Sequence, residues 1–340
     1  MTLKKSDFLN DPVKHIDIKS FDSTPIIEAM KNMSFTARDT ARAADILFRM
    51  TDDKECTTTL CLAGSTTSAG CMQIYIDMVK HNMVDVIVAT GAAIVDMDFF
   101  EALGFQHYKG DPDGDDKILR EQHILRIYDT LIDEEQLQVC DNVIKEIADS
   151  LAPRPYSSRE FIREMGKYLI DNKAIKPSLV QTAFENDVPI FCPAFSDSAA
   201  GFGLVRHQVE NEDKHISIDS VKDFRELTKI RMKSREAGLF IIGGGMPKNF
   251  AQDTDVCAEI LGAPASMHKY AVQITVADVR DGSCSGSPLK EAHTWGEVKT
   301  LHEQMVYAEA TSVLPLMISY VYHRRSWEGR NSRKLNKIFE

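Results

Sequence analysis

Four segments of this chain follow apolar, strand-like runs, the position from which a parallel sheet presents chemistry to a ligand. The first is Gly64-Ser65-Thr66-Thr67-Ser68-Ala69-Gly70, just ahead of an amphipathic stretch. Glycine allows a tight turn and a close approach, while hydroxyls and helix N-terminal N–H groups can hold phosphate. The second is Thr90-Gly91-Ala92-Ala93. Gly243-Gly244-Gly245, before Met246-Pro247-Lys248-Asn249, is the third, and three glycines in a row let another group lie against the backbone. The fourth, Pro193-Ala194-Phe195-Ser196-Asp197, puts a carboxylate just past an apolar run, where it can bind an amine or cap the next segment. Any one glycine cluster reads equally as a turn. Several at strand ends point to a dinucleotide crevice, although no G-x-G-x-x-G follows the first strand.

The elements that must hold these segments alternate between short apolar strands and amphipathic helices, which predicts a parallel sheet covered by helices. Strands are expected at residues 57–64, 84–91, 188–192, 238–242 and 269–275, and helices at 68–82, 96–103, 221–233 and 314–322. The fold class is therefore α/β and Rossmann-like, a predominantly parallel sheet flanked by helices. Residues 1–50 lack a clear strand and read as a helical N-terminal arm, 51–323 as one α/β domain, and 324–340 as a polar, exposed tail. The stretch 111–151 is charged and helical in pattern, ending in the loop Ala152-Pro153-Arg154-Pro155.

With 340 residues, 43% hydrophobic and 27% charged, the composition is that of a globular protein. No apolar run reaches the roughly 20 residues that span a bilayer, and Met1 to Val13 lacks the apolar core of a signal peptide. A cytoplasmic location without membrane attachment is the expectation. The net charge of −11 argues against a nucleic-acid partner and suits small cationic substrates, although acidity also serves solubility alone. Seven cysteines show no C-x-x-C pair and no zinc spacing, so buried thiols and no metal are expected.

Taken in order, several segments resemble the deoxyhypusine synthase family. They are His81-Asn82-Met83-Val84-Asp85, Phe191-Cys192-Pro193-Ala194, Ile242-Gly243-Gly244-Gly245, Asp281-Gly282-Ser283 with Ser285-Gly286, Glu291-Ala292 with Trp295-Gly296, and Tyr307-Ala308-Glu309-Ala310. The resemblance runs from about Leu60 to Leu316 and extends to bacterial deoxyhypusine synthase-like relatives. It implies a homotetramer with active sites between subunits and NAD as cofactor. In that family spermidine is oxidised, and its aminobutyl group passes as an imine on an active-site lysine to a lysine of a translation factor. Carried over by position, the cofactor site comprises Ser65, Thr66, Thr90, Gly91, Gly244, Asp281, Gly282, Ser283, Glu309 and Ala310, with Glu309 where the family has aspartate. The amine site comprises Asp197, Glu291 and Trp295, since carboxylates pair with ammonium groups and an indole face attracts a cation.

The departures gather in the amine site. Phe202 replaces an acid, Cys284 an aspartate, Asn249 a histidine, and Glu297 the lysine nucleophile. Glutamate cannot form an imine. Lys299, two residues on, shares the face of Glu297 only if the segment is extended. The expected activity is thus an NAD-dependent transfer of an aminoalkyl group between small polyamines or related amines without a lysine imine. Glu297 and Trp295 would be catalytic, and Asn249 and Cys284 would join the substrate site. The alternatives are a non-catalytic NAD- or polyamine-binding relative, true deoxyhypusine synthase activity, or an unrelated NAD-dependent dehydrogenase. His81, His107 and His268 read as surface or capping groups, and His293 as a site candidate without a role.

Overall fold

The computed structural model describes residues 4–264 and 266–340. Runs rich in Val, Ile and Thr form six strands: β1 (Cys56–Leu62), β2 (Val86–Ala89), β3 (Ile190–Phe191), β4 (Glu236–Ile242), β5 (Tyr270–Thr275) and β6 (Glu303–Tyr307). They make one parallel sheet in the spatial order β6-β5-β4-β1-β2-β3. The register sets Leu60 beside Ile87 on one side and Phe240 on the other, with Phe240 in turn beside Val272.

Alternate side chains go to opposite faces of a strand, and both faces here are apolar. Leu60, Leu62, Ile87, Phe240, Ile242 and Ile274 enter one core with helices α1 (Phe35–Asp52), α2 (Met72–Lys80) and, at the C-terminal end, Ala310–His323. Cys61, Val86, Val88, Leu239 and Ile241 enter a second core with Leu227 and Ile230 of α4 (Ser220–Lys233) and Ala251 of α5 (Gly245–Ile260). The helix Ala199–Glu210, which follows β3, is α3, and Ala310–His323 is α6. Each wholly buried Phe or Ile contributes about 1.5–3 kcal/mol through the apolar surface it removes from water.

The strand expectations at 57–64, 84–91, 188–192, 238–242 and 269–275 each hold a strand, and four differences stand out. A sixth strand, Glu303–Tyr307, pairs with β5 although its polar Glu303 and Gln304 hid it; Glu303 is buried against the edge. The charged stretch 111–151 is not helical throughout. Ile124–Ile127 and Thr130–Asp133 form a hairpin that turns at Tyr128 with φ +53°, and its apolar residues split between two small clusters. The helix expected over 68–82 is kinked at Gly70, where φ is +100°. A Cβ there would lie 3.0 Å from the Lys14 carbonyl oxygen of the arm, whose Ile16 N–H donates to Gly70 O. Finally, the tail after 323 is not simply exposed. Arg330 is buried and donates to Asp85 Oδ2 at 2.7 Å and to Asn82 O at 2.7 Å, while Asn336 accepts from Arg159 at 3.2 Å.

Candidate active site

The chain leaves β1 toward β2 on one side, whereas β4 and β5 lie on the other, so the strand order reverses between β1 and β4. In sheets of this kind ligands bind at such a point, outside the carboxyl ends of the strands. A crevice of about 460 Å³ opens there, lined by Ser65, Thr66, Gly244, Glu309 and Ala310 among others. Gly244 is required by packing: a Cβ would sit 2.6 Å from Ser285 Cα. The loop carrying Ser285 is stapled to the triple glycine. Gly245 N–H donates to Ser285 Oγ at 2.9 Å, and buried Gln273 of β5 donates to both Gly243 O (2.8 Å) and Ser285 O (2.9 Å). Gln273 went unmarked in the sequence because a glutamine inside a strand carries no motif.

Not every expected cofactor residue lines this crevice. Thr90 and Gly91 end β2, where a Cβ on Gly91 would meet Ser198 Oγ at 2.6 Å. Asp281 and Ser283 are exposed, with Asp281 Oδ1 accepting the Ser283 N–H at 2.7 Å. Glu309 spends its carboxylate on the first turn of α6, accepting from Thr311 N–H at 3.0 Å and Ser312 N–H at 3.2 Å. Glycine backbone and small side chains line much of the crevice beside the apolar Ile242, Ile274 and Val276, and a Cβ on Gly64 would meet no atom within 4 Å, so the residues present are of the kind that can hold a dinucleotide.

The same loop lines a second cavity of about 400 Å³. Here the structure brings together Asn249, Gly282, Cys284, Glu291, Trp295 and Glu297, residues spread over the sequence. Trp295 and Glu291 stand exposed at the rim. Glu297 is 6% exposed, and burial followed by the charge of Asp253 pushes its carboxyl up to about 7. Its backbone is fixed by His268, whose N–H donates to Glu297 O at 2.8 Å. Lys299 is exposed and does not line the cavity; His293 is exposed and its Nδ1 lies 3.1 Å from Val298 O.

Among the residues in or under this cavity that sequence reasoning missed are Asp253 and Lys248. Asp253 of α5 lines it, one helical turn after Asn249, whose Nδ2 donates to Asp253 Oδ2 at 2.8 Å. Lys248 is wholly buried, and its ammonium donates to Cys284 O (3.0 Å), Ser287 O (2.6 Å) and Ser287 Oγ (2.8 Å). Three acceptors for three donors hold it as a clamp on the loop, although burial lowers its pKa. Neither Lys248, right after Met246-Pro247, nor Asp253, five residues further on, carried a spacing signal for its role.

Asp197 lies elsewhere. It follows β3 at the far edge of the sheet, near Asp96, whose carboxyl is pushed up to about 6 by burial and by the charges of Asp141 and Asp197. The histidine expectation is corrected for two residues. His107 and His268 are buried, each beside a carboxylate, Glu101 at 2.6 Å and Asp255 at 2.5 Å. His81 is half-buried against Trp327 with ring centroids 4.4 Å apart.

Comparison with known proteins agrees with this architecture. A deoxyhypusine synthase-like protein of Coxiella burnetii is 63% identical over 337 residues, covering 99% of this chain and 96% of that protein. Its counterpart in Caulobacter vibrioides is 60% identical, covering 99% and 93%. Among solved structures, an Entamoeba histolytica protein assigned as a deoxyhypusine synthase has a TM-score of 0.59 at 20% identity, covering 92% of this chain and 97% of that one. AgrE, solved as a ternary complex with ornithine and NAD+, has a TM-score of 0.54 at 10% identity, covering 86% of this chain and 34% of that one. Both structural likenesses concern the fold. The profile described as deoxyhypusine synthase matches residues 25–321, and with relatives at such identity over nearly the full length, the chain belongs to the deoxyhypusine synthase family, whose activity is that of a transferase.

Proposed function

We propose that this protein transfers an aminoalkyl group between small polyamines or related amines, with NAD as cofactor and without a covalent lysine. The observation that carries the reading is the shared loop. Ser285 faces the glycine-walled crevice, while Gly282, Cys284 and Ser287 of the same loop line the carboxylate-bearing cavity. A cofactor in the first and an amine in the second are thereby neighbours.

Bound NAD would supply a hydride acceptor that later gives the hydride back. The chain's own residues do the rest. Ser65 and Thr66 offer hydroxyls, and Gly244 and Gly245 bare backbone, to a dinucleotide. Glu291, Glu297 and the Trp295 ring receive ammonium groups. Lys248 holds the loop between the two sites. A small acceptor amine can enter the cavity beside the donor and attack the oxidised carbon directly, so no lysine has to carry the group. A protein lysine reaching a rim of exposed Trp295 is the family's own acceptor, but the loss of the imine-forming residue favours a small molecule.

Asp197 joins this reading through a second copy of the chain. It stands away from the cavity at the start of α3, which exposes Phe202, Val205 and Val209 at helical spacing. An unpartnered apolar face next to that carboxylate supports a homotetramer with sites between subunits.

Incubation of the purified protein with NAD and pairs of amines (putrescine, spermidine, homospermidine, agmatine), followed by mass spectrometry, tests the proposal. A new secondary amine that requires NAD is the expected result. NAD binding without any new amine would leave the non-catalytic reading in its place.

A further inference from the structure

The glutamate in the lysine's place does not act alone in the cavity. Asp253 lines the same cavity from α5, so two carboxyl groups face one space, and each acts on the proton affinity of the other. Two carboxylates can hydrogen-bond only when one of them carries a proton. The pair is therefore a place for one shared proton, flanked by the Asn249 amide on Asp253 and by the His268 N–H on the Glu297 backbone.

The charged groups around the pair are few. Lys248 and Asp255 come from α5, Cys284 and Glu291 from the loop, and His268 from the start of β5. Lys248 is held by the loop oxygens, and Asp255 is paired with Arg231 and His268. Burial and then the charge of Asp253 push Glu297 from 4.5 up to about 7, while burial raises Asp253 against a hydrogen bond to Glu297 that lowers it. A base with that affinity takes a proton about 300-fold more readily than an ordinary glutamate.

We infer that Asp253 is a catalytic residue, and that Asp253 and Glu297 together form the base that removes a proton from the ammonium group of the attacking amine. The inference rests on the amine-transfer reading above. Before the step, above the pKa of the pair, both carboxyl groups are ionised. The ammonium gives up one N–H proton, which the two carboxyl groups then share, and its nitrogen keeps the lone pair that forms the new C–N bond. As the original C–N bond breaks, its electron pair stays on the departing amine nitrogen. That nitrogen takes the proton back, and the pair is reset. No group needs to be held covalently, so the pair does by proton transfer what a nucleophilic lysine does by imine exchange.

The test compares wild type with Asp253→Asn and Glu297→Gln. Infrared titration of the protein without cofactor reads the shared proton directly. A protonated carboxyl titrating near pH 7 is expected in wild type and absent from both variants. In parallel, kcat/KM for amine transfer in wild type should rise through an apparent pKa of about 7. In Asp253→Asn that limb should move down by about one pH unit, with kcat lower on the order of 100-fold. A purely structural tie between α5 and the loop would lower the rate without moving the limb. Wild-type turnover with an Asp253→Asn profile at the wild-type position overturns this inference alone. Absence of turnover with every amine in wild type overturns the transfer reading, and the base role with it.

Discussion

Gly244→Ala is the sharpest perturbation of the crevice. The new Cβ would lie 2.6 Å from Ser285 Cα and 3.1 Å from Gln273 Nε2. Carbon atoms normally approach to about 3.5–4.0 Å, so roughly 1 Å must be found between two backbone segments. The loop has to yield, and with it go the Gly245 N–H to Ser285 Oγ bond at 2.9 Å and the Gln273 to Ser285 O bond at 2.9 Å. At about 1 kcal/mol net for each bond, and a similar amount for the misplaced loop, the loss is roughly 2–3 kcal/mol. That corresponds to NAD affinity weaker by about 30- to 150-fold. Calorimetric titration with NAD reads it, with circular dichroism confirming the fold. Ser285→Ala, which removes one acceptor and adds no atom, should weaken binding only about 5-fold. If Gly244→Ala folds and binds NAD within about twofold of wild type, the crevice is not the cofactor site.

Other perturbations follow from the buried charges. Glu297 titrates at about 7 in the fold against 4.5 when unperturbed, so its contribution to stability is complete below pH 4.5 and is lost as pH rises through 7. The difference in urea stability between wild type and Glu297→Gln should shrink or change sign across that window; a constant difference contradicts the assignment. Lys248→Met removes the cation that holds Glu297 down, so the carboxyl should titrate higher still and the limb of kcat/KM move to higher pH. A limb that stays put or moves down contradicts the proximity of the two groups. Arg330→Ala strands the buried carboxylate of Asp85 and should cost about 3–5 kcal/mol in urea denaturation, whereas Arg330→Ala in the Asp85→Asn background should cost less. Equal costs in both backgrounds mean that the pair is not coupled.

The sheet was legible because β1, β2, β4 and β5 are short runs dominated by apolar and β-branched residues, buried on both faces, and such runs announce themselves without any partner. The edge strand β6 was not, since Glu303 and Gln304 break the pattern that packing against β5 restores. The hairpin at 124–133 was hidden in the same way by the surrounding charges, its register being set by two clusters distant in sequence. Within the candidate site, the residues on the signature loop were readable as a string, and the fold gathers Cys284, Glu291, Trp295 and Glu297 as that string suggested. Asp253 and Lys248 were not readable. Their roles come from facing the loop across a helix, a relation with no spacing in the chain. Asp197 shows the opposite limit, a residue whose sequence match says nothing about the distance that separates it from the cavity within one subunit.

The most direct measurement uses a diamine carrying two deuterium atoms on the carbon beside one nitrogen, together with an unlabelled acceptor amine and NAD. The account predicts a secondary amine that retains both deuterium atoms, with no net accumulation of reduced cofactor, because the deuteride is removed and returned to the same carbon. Reduced cofactor accumulating in step with an aldehyde would make the protein a dehydrogenase, and the absence of any labelled product would leave it without the transfer chemistry claimed for it.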